Sequence, residues 1–318
     1  MTAAFVFPGQ GSQAVGMGKA LAGAFAPARR VFDEVDAALG DKLSEIMWNG
    51  PAETLTLTEN AQPALMAVSL ATIRVLEGEA GLDLKRDAVF VAGHSLGEYS
   101  ALAAAQSLTI ADAARLLRIR GRAMQKAVPV GAGAMAALVG VKFGEAEAVA
   151  AAAASAGVCT AANDNGGGQV VLSGEKSAVE RAVEIAKAQG VKRAMMLPVS
   201  APFHCSLMQP AAETMAKALA EVSVKPPLVP LVANVLAQPI SDPDEIVQCL
   251  VKQVTGTVRW RESVLFMAQA GVNVFYEVGA GKVLTGLIKR IAESAEASAI
   301  GTPDDIAKFT AAFATAHR

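Results

Sequence analysis

"VFVAGHSLGEYSALAAA", residues Val89–Ala105, is the stretch on which the fold turns. An apolar, β-rich run over Ala88–Ala92 passes through Gly93-His94-Ser95-Leu96-Gly97 into a string of small residues. A Gly-x-Ser-x-Gly turn between strand and helix holds its serine in a strained conformation. The flanking positions must therefore lack bulk, and the Oγ is thrust above the sheet. Leu96, the next residue, opens the helix, where N–H groups without intrahelical partners can bind an oxyanion. Ser100, Ala101, Ala103, Ala104 and Ala105 let that helix lie close to the sheet. Ser95 is a candidate nucleophile.

On either side of this turn, short β-rich runs alternate with longer helical patterns. That alternation predicts an α/β protein with a mainly parallel sheet covered by helices. Ala4–Phe7 reads as a strand ending in a tight turn at Pro8-Gly9-Gln10-Gly11-Ser12, and helical patterns cover 16–39, 61–80 and 111–128. After Pro129 the order becomes strand (Met135–Val141), helix (Glu145–Ala156), strand (Val158–Ala162), strand (Gln169–Ser173), helix (Ser177–Gln189), strand (Val191–Val199). This βαββαβ order predicts a ferredoxin-like small domain over 129–197, inserted in a large domain built from 1–128 and 198–318. The large domain resumes with strand Leu228–Asn234, a helix from Asp242 and strand Val274–Val278.

The balance of residues excludes several classes of partner. Formal charge is -2 and 18% of residues are charged, so nucleic acid is not expected. Hydrophobic residues make up 53% of the chain, yet no uninterrupted apolar run approaches the ~20 residues of a membrane span. The first residues lack a basic segment and reach Pro8-Gly9 too soon for a signal peptide. Cys159, Cys205 and Cys249 form no spaced framework, which suits a reducing cytosol. With three histidines and no Cys-x-x-Cys or His-x-x-x-His spacing, no metal site is expected. The expectation is a cytoplasmic protein.

A serine nucleophile needs a base within ~3.2 Å. His94 adjoins Ser95, but neighbours in a turn point in different directions, so it reads as a packing residue. His317 is close to the chain end. That leaves His204, in the loop "LPVSAPFHCSLM" (Leu197–Met208) that follows the small domain. No Asp or Glu near it in sequence is an obvious orienter, so a carbonyl could hold the imidazole, making a dyad. An imidazole near its ordinary pKa of ~6.5 suits alternating base and acid roles.

On a helical wheel of "DAARLLRIRGRAMQKA" (Asp112–Ala127), Ala113, Leu116, Leu117, Ala123 and Met124 share one face. Arg115, Arg118, Arg122 and Lys126 share the other, a solvated one, while Arg120 falls among the apolar residues. A guanidinium there needs an anionic partner. The partner could be a structural carboxylate or a carboxylate on the substrate, held by a bidentate fork.

Several stretches, in this order, resemble the malonyl-CoA:acyl carrier protein transacylase family nearly end to end. They are "FVFPGQGSQAVGMG" (Phe5–Gly18), "TENAQPAL" (Thr58–Leu65), "AGHSLGEYSAL" (Ala92–Leu102), "RIRGRAMQKAVPVGAGAMAALVG" (Arg118–Gly140), "VSAPFHCSLM" (Val199–Met208) and "YEVGAGKVLTGLIKRI" (Tyr276–Ile291). The resemblance implies an α/β-hydrolase-like core with a ferredoxin-like insertion. It also implies ping-pong transfer of malonyl from its CoA thioester to acyl carrier protein through malonyl-Ser95, with no cofactor. By the same resemblance, His204 is the base, Arg120 binds the malonyl carboxylate, Gln10 and Leu96 form the oxyanion hole, and the Gln253 carbonyl orients His204. Phe203 fills the space that a 2-methyl branch would occupy. Lys192 and Arg193 resemble a pair near the CoA nucleotide. With Lys289 and Arg290 they are candidates to receive an acidic carrier, or plain surface charges.

The chain departs from the family at "QVTGTVRW" (Gln253–Trp260), where a proline-bearing stretch is expected, and at Gly166-Gly167-Gly168, in place of a Ser-Pro-like loop. A monomer is expected. Two rival readings share these residues: a serine hydrolase, which needs no Arg120, and a platform subunit without activity.

Overall fold

The computed structural model describes residues 2–199 and 201–316. Its centre is a six-stranded sheet made of β1 (Ala3–Phe7), β2 (Phe90–Gly93), β7 (Leu231–Ala233), β8 (Gln238–Ile240), β9 (Val274–Val278) and β10 (Glu296–Ile300). The strand order is β10-β9-β1-β2-β7-β8, parallel throughout except for β8, which returns antiparallel to β7.

Alternation along β1 explains why its five residues are all buried. Ala3, Phe5 and Phe7 join the core beneath helices Thr58–Glu79, Gly97–Ala104 and Ile110–Ala127, whereas Ala4 and Val6 meet Trp260, Val264, Leu284 and Ile288 on the opposite face. A strand covered on both faces reads as a continuous apolar run.

A second sheet is antiparallel and comprises β3 (Gly133–Val139), β4 (Cys159–Gly166), β5 (Gln169–Glu175) and β6 (Arg193–Met196), in the order β4-β5-β3-β6. Helices Phe143–Ala153 and Lys176–Ala188 cover one face and share a core with Ala134, Ala136 and Leu138. The alanines of the first helix allow this close fit. Met135, Ala162 and Val171 instead belong to the main core, and β4 packs on helices Trp260–Gln269 and Val283–Ile291 of the large unit.

The structure differs from the sequence expectations at several boundaries. The helix expected over 16–39 is two helices, Lys19–Ala24 and Ala26–Leu39, divided at an extended Phe25. Pro27, near the start of the second, cannot donate the bond that would continue the first. The helix expected from 61 begins at Thr58 and carries Pro63 inside it. β4 runs on through Asn163 and Asp164 to Gly166, beyond the expected end at Ala162. Asp164 is satisfied there: its N–H donates to the Val258 carbonyl (2.9 Å), and its carboxylate pairs with Arg261 (2.8 Å). Helices Gln209–Ala220, Trp260–Gln269, Val283–Ile291 and Pro303–Ala316, and edge strands β8 and β10, are among the elements not expected from the sequence. His317 lies outside the described residues.

Candidate active site

Parallel strands end on the same side, and their carboxyl ends bring three turns together. β1 leads into Pro8-Gly9-Gln10, β2 into His94-Ser95 and β7 into Asn234. Phe7 sits beside Gly93, and Ala92 beside Val232. Such an edge is where open α/β sheets bind ligands. Ser95 has φ 54, a left-handed conformation for a non-glycine residue. The flanking glycines make the turn possible: a Cβ on Gly93 would lie 2.0 Å from the Gly97 carbonyl oxygen, and one on Gly97 would lie 2.3 Å from that of Phe7. The Ser95 N–H donates to Asn234 Oδ1 (2.8 Å), and Asn234 Nδ2 donates to the Gly93 carbonyl (2.7 Å). The asparagine thus ties the elbow from both ends.

His204 lies between β6 and the short helical turn Ser206–Met208 and is also left-handed, with φ 60. Its Nε2 is 2.8 Å from Ser95 Oγ, and its Nδ1 is 2.8 Å from the main-chain carbonyl of Gln253. A carbonyl only accepts, so Nδ1 carries the proton and Nε2 is left to accept from the serine. Gln253 lies in the last turn of helix Pro243–Thr255, where carbonyls lack intrahelical partners, which frees this one for the imidazole. Gly256 in the divergent Thr-Gly-Thr segment ends that helix, and the expected carbonyl is in place without the proline. Burial, and then the charge of Arg120, push the His204 imidazole down to about 3. This corrects the expectation of an unshifted histidine: the resting imidazole is neutral.

Arg120 is 1% exposed. One terminal nitrogen donates to Gln62 Oε1 (2.8 Å), the other to Gln253 Oε1 (2.7 Å) and Ser95 Oγ (3.1 Å). No carboxylate forms an ion pair with it among the described residues, and its Nε has no acceptor there. The buried carboxylate of Glu98 is reached only through the Gln253 amide, which accepts from Arg120 and donates to Glu98. Helix packing seats Arg120. A Cβ on Gly121 would fall 2.5 Å from the Glu59 Cα, so glycine lets helix Ile110–Ala127 touch the start of helix Thr58–Glu79 and puts Arg120 against Gln62. Arg118, expected on the solvated face, is instead buried against Asn60 (3.0 Å) and Asp41 (3.0 Å). The wheel could not show that the Asp41 and Asn60 segments close over that side.

The remaining expected residues fall in distinct places. The backbone N–H groups of Gln10 and Leu96 donate to no acceptor among the described residues. The Gln10 side chain accepts from Thr58 Oγ1 (2.8 Å), which accepts from Gln62 Nε2 (2.8 Å), so a relay joins this turn to Arg120. Phe203 is buried beside His204. His94 is not the base; its Nε2 meets Asn165 Oδ1 (2.9 Å) and its ring leans on Trp260. Lys192 and Arg193 are exposed where β6 begins, on the rim of the small sheet. Gly166-Gly167-Gly168 form the β4–β5 turn, all with positive φ, packed against Ile291 and Arg290. Among the described residues, no group of three or more His, Cys, Asp or Glu is arranged to hold a metal, and no helix is long and apolar enough to cross a membrane.

The residue-by-residue reading assigned nothing to Gln62, Asn234 or Glu98. Glu98 is 1% exposed; one oxygen accepts from the Asn234 N–H (2.6 Å) and the other from Gln253 Nε2. Burial pushes its carboxyl up to about 8, against the pull of those hydrogen bonds and of Arg120. Local sequence carried no signal for these residues: Gln62 follows Thr58-Glu59-Asn60-Ala61, and Glu98 sits between Gly97 and Tyr99-Ser100.

A strained serine at a parallel sheet edge, hydrogen-bonded to a carbonyl-held imidazole, is the arrangement of a serine-dependent acyl-transfer enzyme. Consistent with that class, the family model described as "Acyl transferase domain" matches residues 4–316. The malonyl CoA-acyl carrier protein transacylase of Escherichia coli K12 is 47% identical over 304 residues, covering 96% of this chain and 97% of that protein. A crystal structure of acyl-carrier-protein-S-malonyltransferase from Bartonella henselae is 57% identical, with TM-score 0.96 over 99% of this chain and 100% of that one. A malonyl-transacylase in complex with its type II PKS acyl-carrier protein is 40% identical, with TM-score 0.94 over 98% of this chain and 100% of that one. The chain belongs to the acyl transferase domain family and, within it, to the malonyl CoA-acyl carrier protein transacylases.

Proposed function

We propose that this enzyme moves a malonyl group from malonyl-CoA to the phosphopantetheine thiol of acyl carrier protein through a malonyl-Ser95 ester. His204 Nε2 takes the Ser95 proton as Oγ attacks the thioester carbon, and the N–H groups of Gln10 and Leu96 receive the oxyanion. The imidazolium then protonates the departing CoA sulfur. In the second half, His204 takes the proton of the carrier thiol, whose sulfur attacks the ester and returns Ser95 to its hydroxyl. Arg120 holds the free carboxylate through both halves, and the Gln253 carbonyl keeps the imidazole aligned. Phe203 narrows the acyl pocket, and Lys192 and Arg193 meet the CoA nucleotide or the acidic carrier. Side chains and the thioesters supply every step, so no cofactor enters the scheme.

The observation that carries this reading is Arg120: a buried cation 3.1 Å from the candidate nucleophile, with no carboxylate paired to it. A hydrolase of uncharged acyl groups has no use for it. For the architecture, we read 1–128 and 198–318 as an α/β-hydrolase-like domain and 129–197 as a ferredoxin-like insertion. The β4-β5-β3-β6 order with two helices on one face supports the second assignment. We further propose a cytoplasmic monomer.

The test is intact-mass measurement after exposure to malonyl-CoA, with and without carrier protein. Wild type gains one malonyl group and passes it on only to carrier, while Ser95→Ala gains none. Free malonate released equally fast in both conditions would mean a hydrolase, and no adduct at all would leave a platform subunit.

A further inference from the structure

The side-chain amide of Gln253 must face one way for the site to work. Its Oε1 receives Arg120, while its Nε2 donates to the Ser95 carbonyl (2.9 Å) and to Glu98. A flipped amide would set an NH2 against the guanidinium, donor against donor. The same amide belongs to the residue whose main-chain carbonyl holds His204. We propose that Glu98 is a positioning residue for acyl selectivity: by fixing the orientation of the Gln253 amide, it keeps Arg120 where a substrate carboxylate can pair with it. The inference rests on the reading of Arg120 as the carboxylate fork.

The chemistry of the contacts carries the point. Glu98 offers two acceptor oxygens, one used by the Asn234 N–H and one by Gln253 Nε2. No other residue type of that length accepts at both ends. Glutamine fills the same space, but its one carbonyl oxygen goes to the Asn234 N–H and its NH2 then confronts Gln253 Nε2. The clash is relieved when the Gln253 amide turns over, which gives up the bond to the Ser95 carbonyl, points an NH2 at Arg120 and drives the guanidinium off. Alanine at 98 removes an acceptor yet gives the amide no reason to turn, because the Ser95 carbonyl still holds Nε2.

The experiment compares wild type, Glu98→Gln and Glu98→Ala. The rates of Ser95 acylation by malonyl-CoA and acetyl-CoA are read by intact mass. A serine-directed fluorophosphonate, which has no carboxylate, reports the elbow and base alone. In Glu98→Gln the malonyl-to-acetyl rate ratio is expected to fall about tenfold, the worth of one hydrogen bond to a charged group, with fluorophosphonate labelling little changed. Glu98→Ala should keep more of the ratio than Glu98→Gln, the reverse of the order expected from lost packing. An unchanged ratio in Glu98→Gln overturns the inference, as does a fluorophosphonate rate that falls in step with malonyl loading. If Glu98→Ala does not fold, the Glu98→Gln ratio decides alone. Absence of a malonyl adduct on wild type would instead sink the reading of the site itself.

Discussion

At the residue scale, His204 is the side chain whose environment departs furthest from its sequence expectation. Enclosure disfavours the imidazolium, and the Arg120 guanidinium adds to that effect, so the ring stays neutral far below its ordinary 6.5. A base that is neutral throughout the working range loses no activity as pH falls through that value. The rate of Ser95 labelling by a fluorophosphonate is therefore expected to show no break near 6.5, the acid limb lying well below it. Arg120→Ala removes a nearby positive charge, so it should move that limb upward. A wild-type break at 6.5, or a limb unmoved by Arg120→Ala, would mean that the imidazole is solvated and uncoupled from the arginine.

At the element scale, the site depends on how closely two helices approach. Gly121 abuts the backbone of Thr58 and Glu59, with an added Cβ only 2.7 Å from the Thr58 carbonyl oxygen, and backbone cannot swing aside as a long side chain can. Gly121→Ala forces the helices apart and is expected to cost about 1–3 kcal/mol, as overpacking in a filled core does. Malonyl loading should fall with it, because Arg120 loses its seat against Gln62. Denaturant melts and adduct rates check both, and an unaltered variant would show that the seam yields freely. The same helix marks what was legible in the sequence. Its apolar period placed Arg120 in the core, the Gly-x-Ser-x-Gly turn placed Ser95, and elimination among three histidines left His204. The buried Arg118 and the extension of β4 through Asp164 escape the sequence pattern because their partners belong to distant segments. Arg118 is 77 residues from Asp41, and Asp164 is 97 from Arg261. Glu98 was opaque for the same reason: Gln253 is 155 residues away, and only the closed fold makes its carboxyl a hub. Periodicity reports which face is buried, not which polar groups meet there.

At the scale of the whole molecule, the site is a buried polar network at the carboxyl edge of the parallel sheet, and two of its members pull stability in opposite directions with pH. His204 takes up a proton near 6.5 when unfolded and only near about 3 when folded. Between those values the unfolded chain holds the extra proton, so acidification favours unfolding. Glu98 ionises near 4.5 when unfolded and near about 8 in the fold. Between those values the native chain holds the extra proton, so raising the pH favours unfolding until the folded carboxyl has itself ionised. The two slopes oppose each other between 4.5 and 6.5, and from 6.5 to about 8 the Glu98 contribution stands alone. Glu98→Gln cannot ionise. Subtracting its unfolding free energy from that of wild type, measured by urea melts at a series of pH values, cancels the groups that the substitution leaves unperturbed. The wild-type value is expected to decline relative to the variant as pH rises from about 5 to 8 and then to level off. A difference that stays flat over that range would show that the folded carboxyl is already ionised below pH 5.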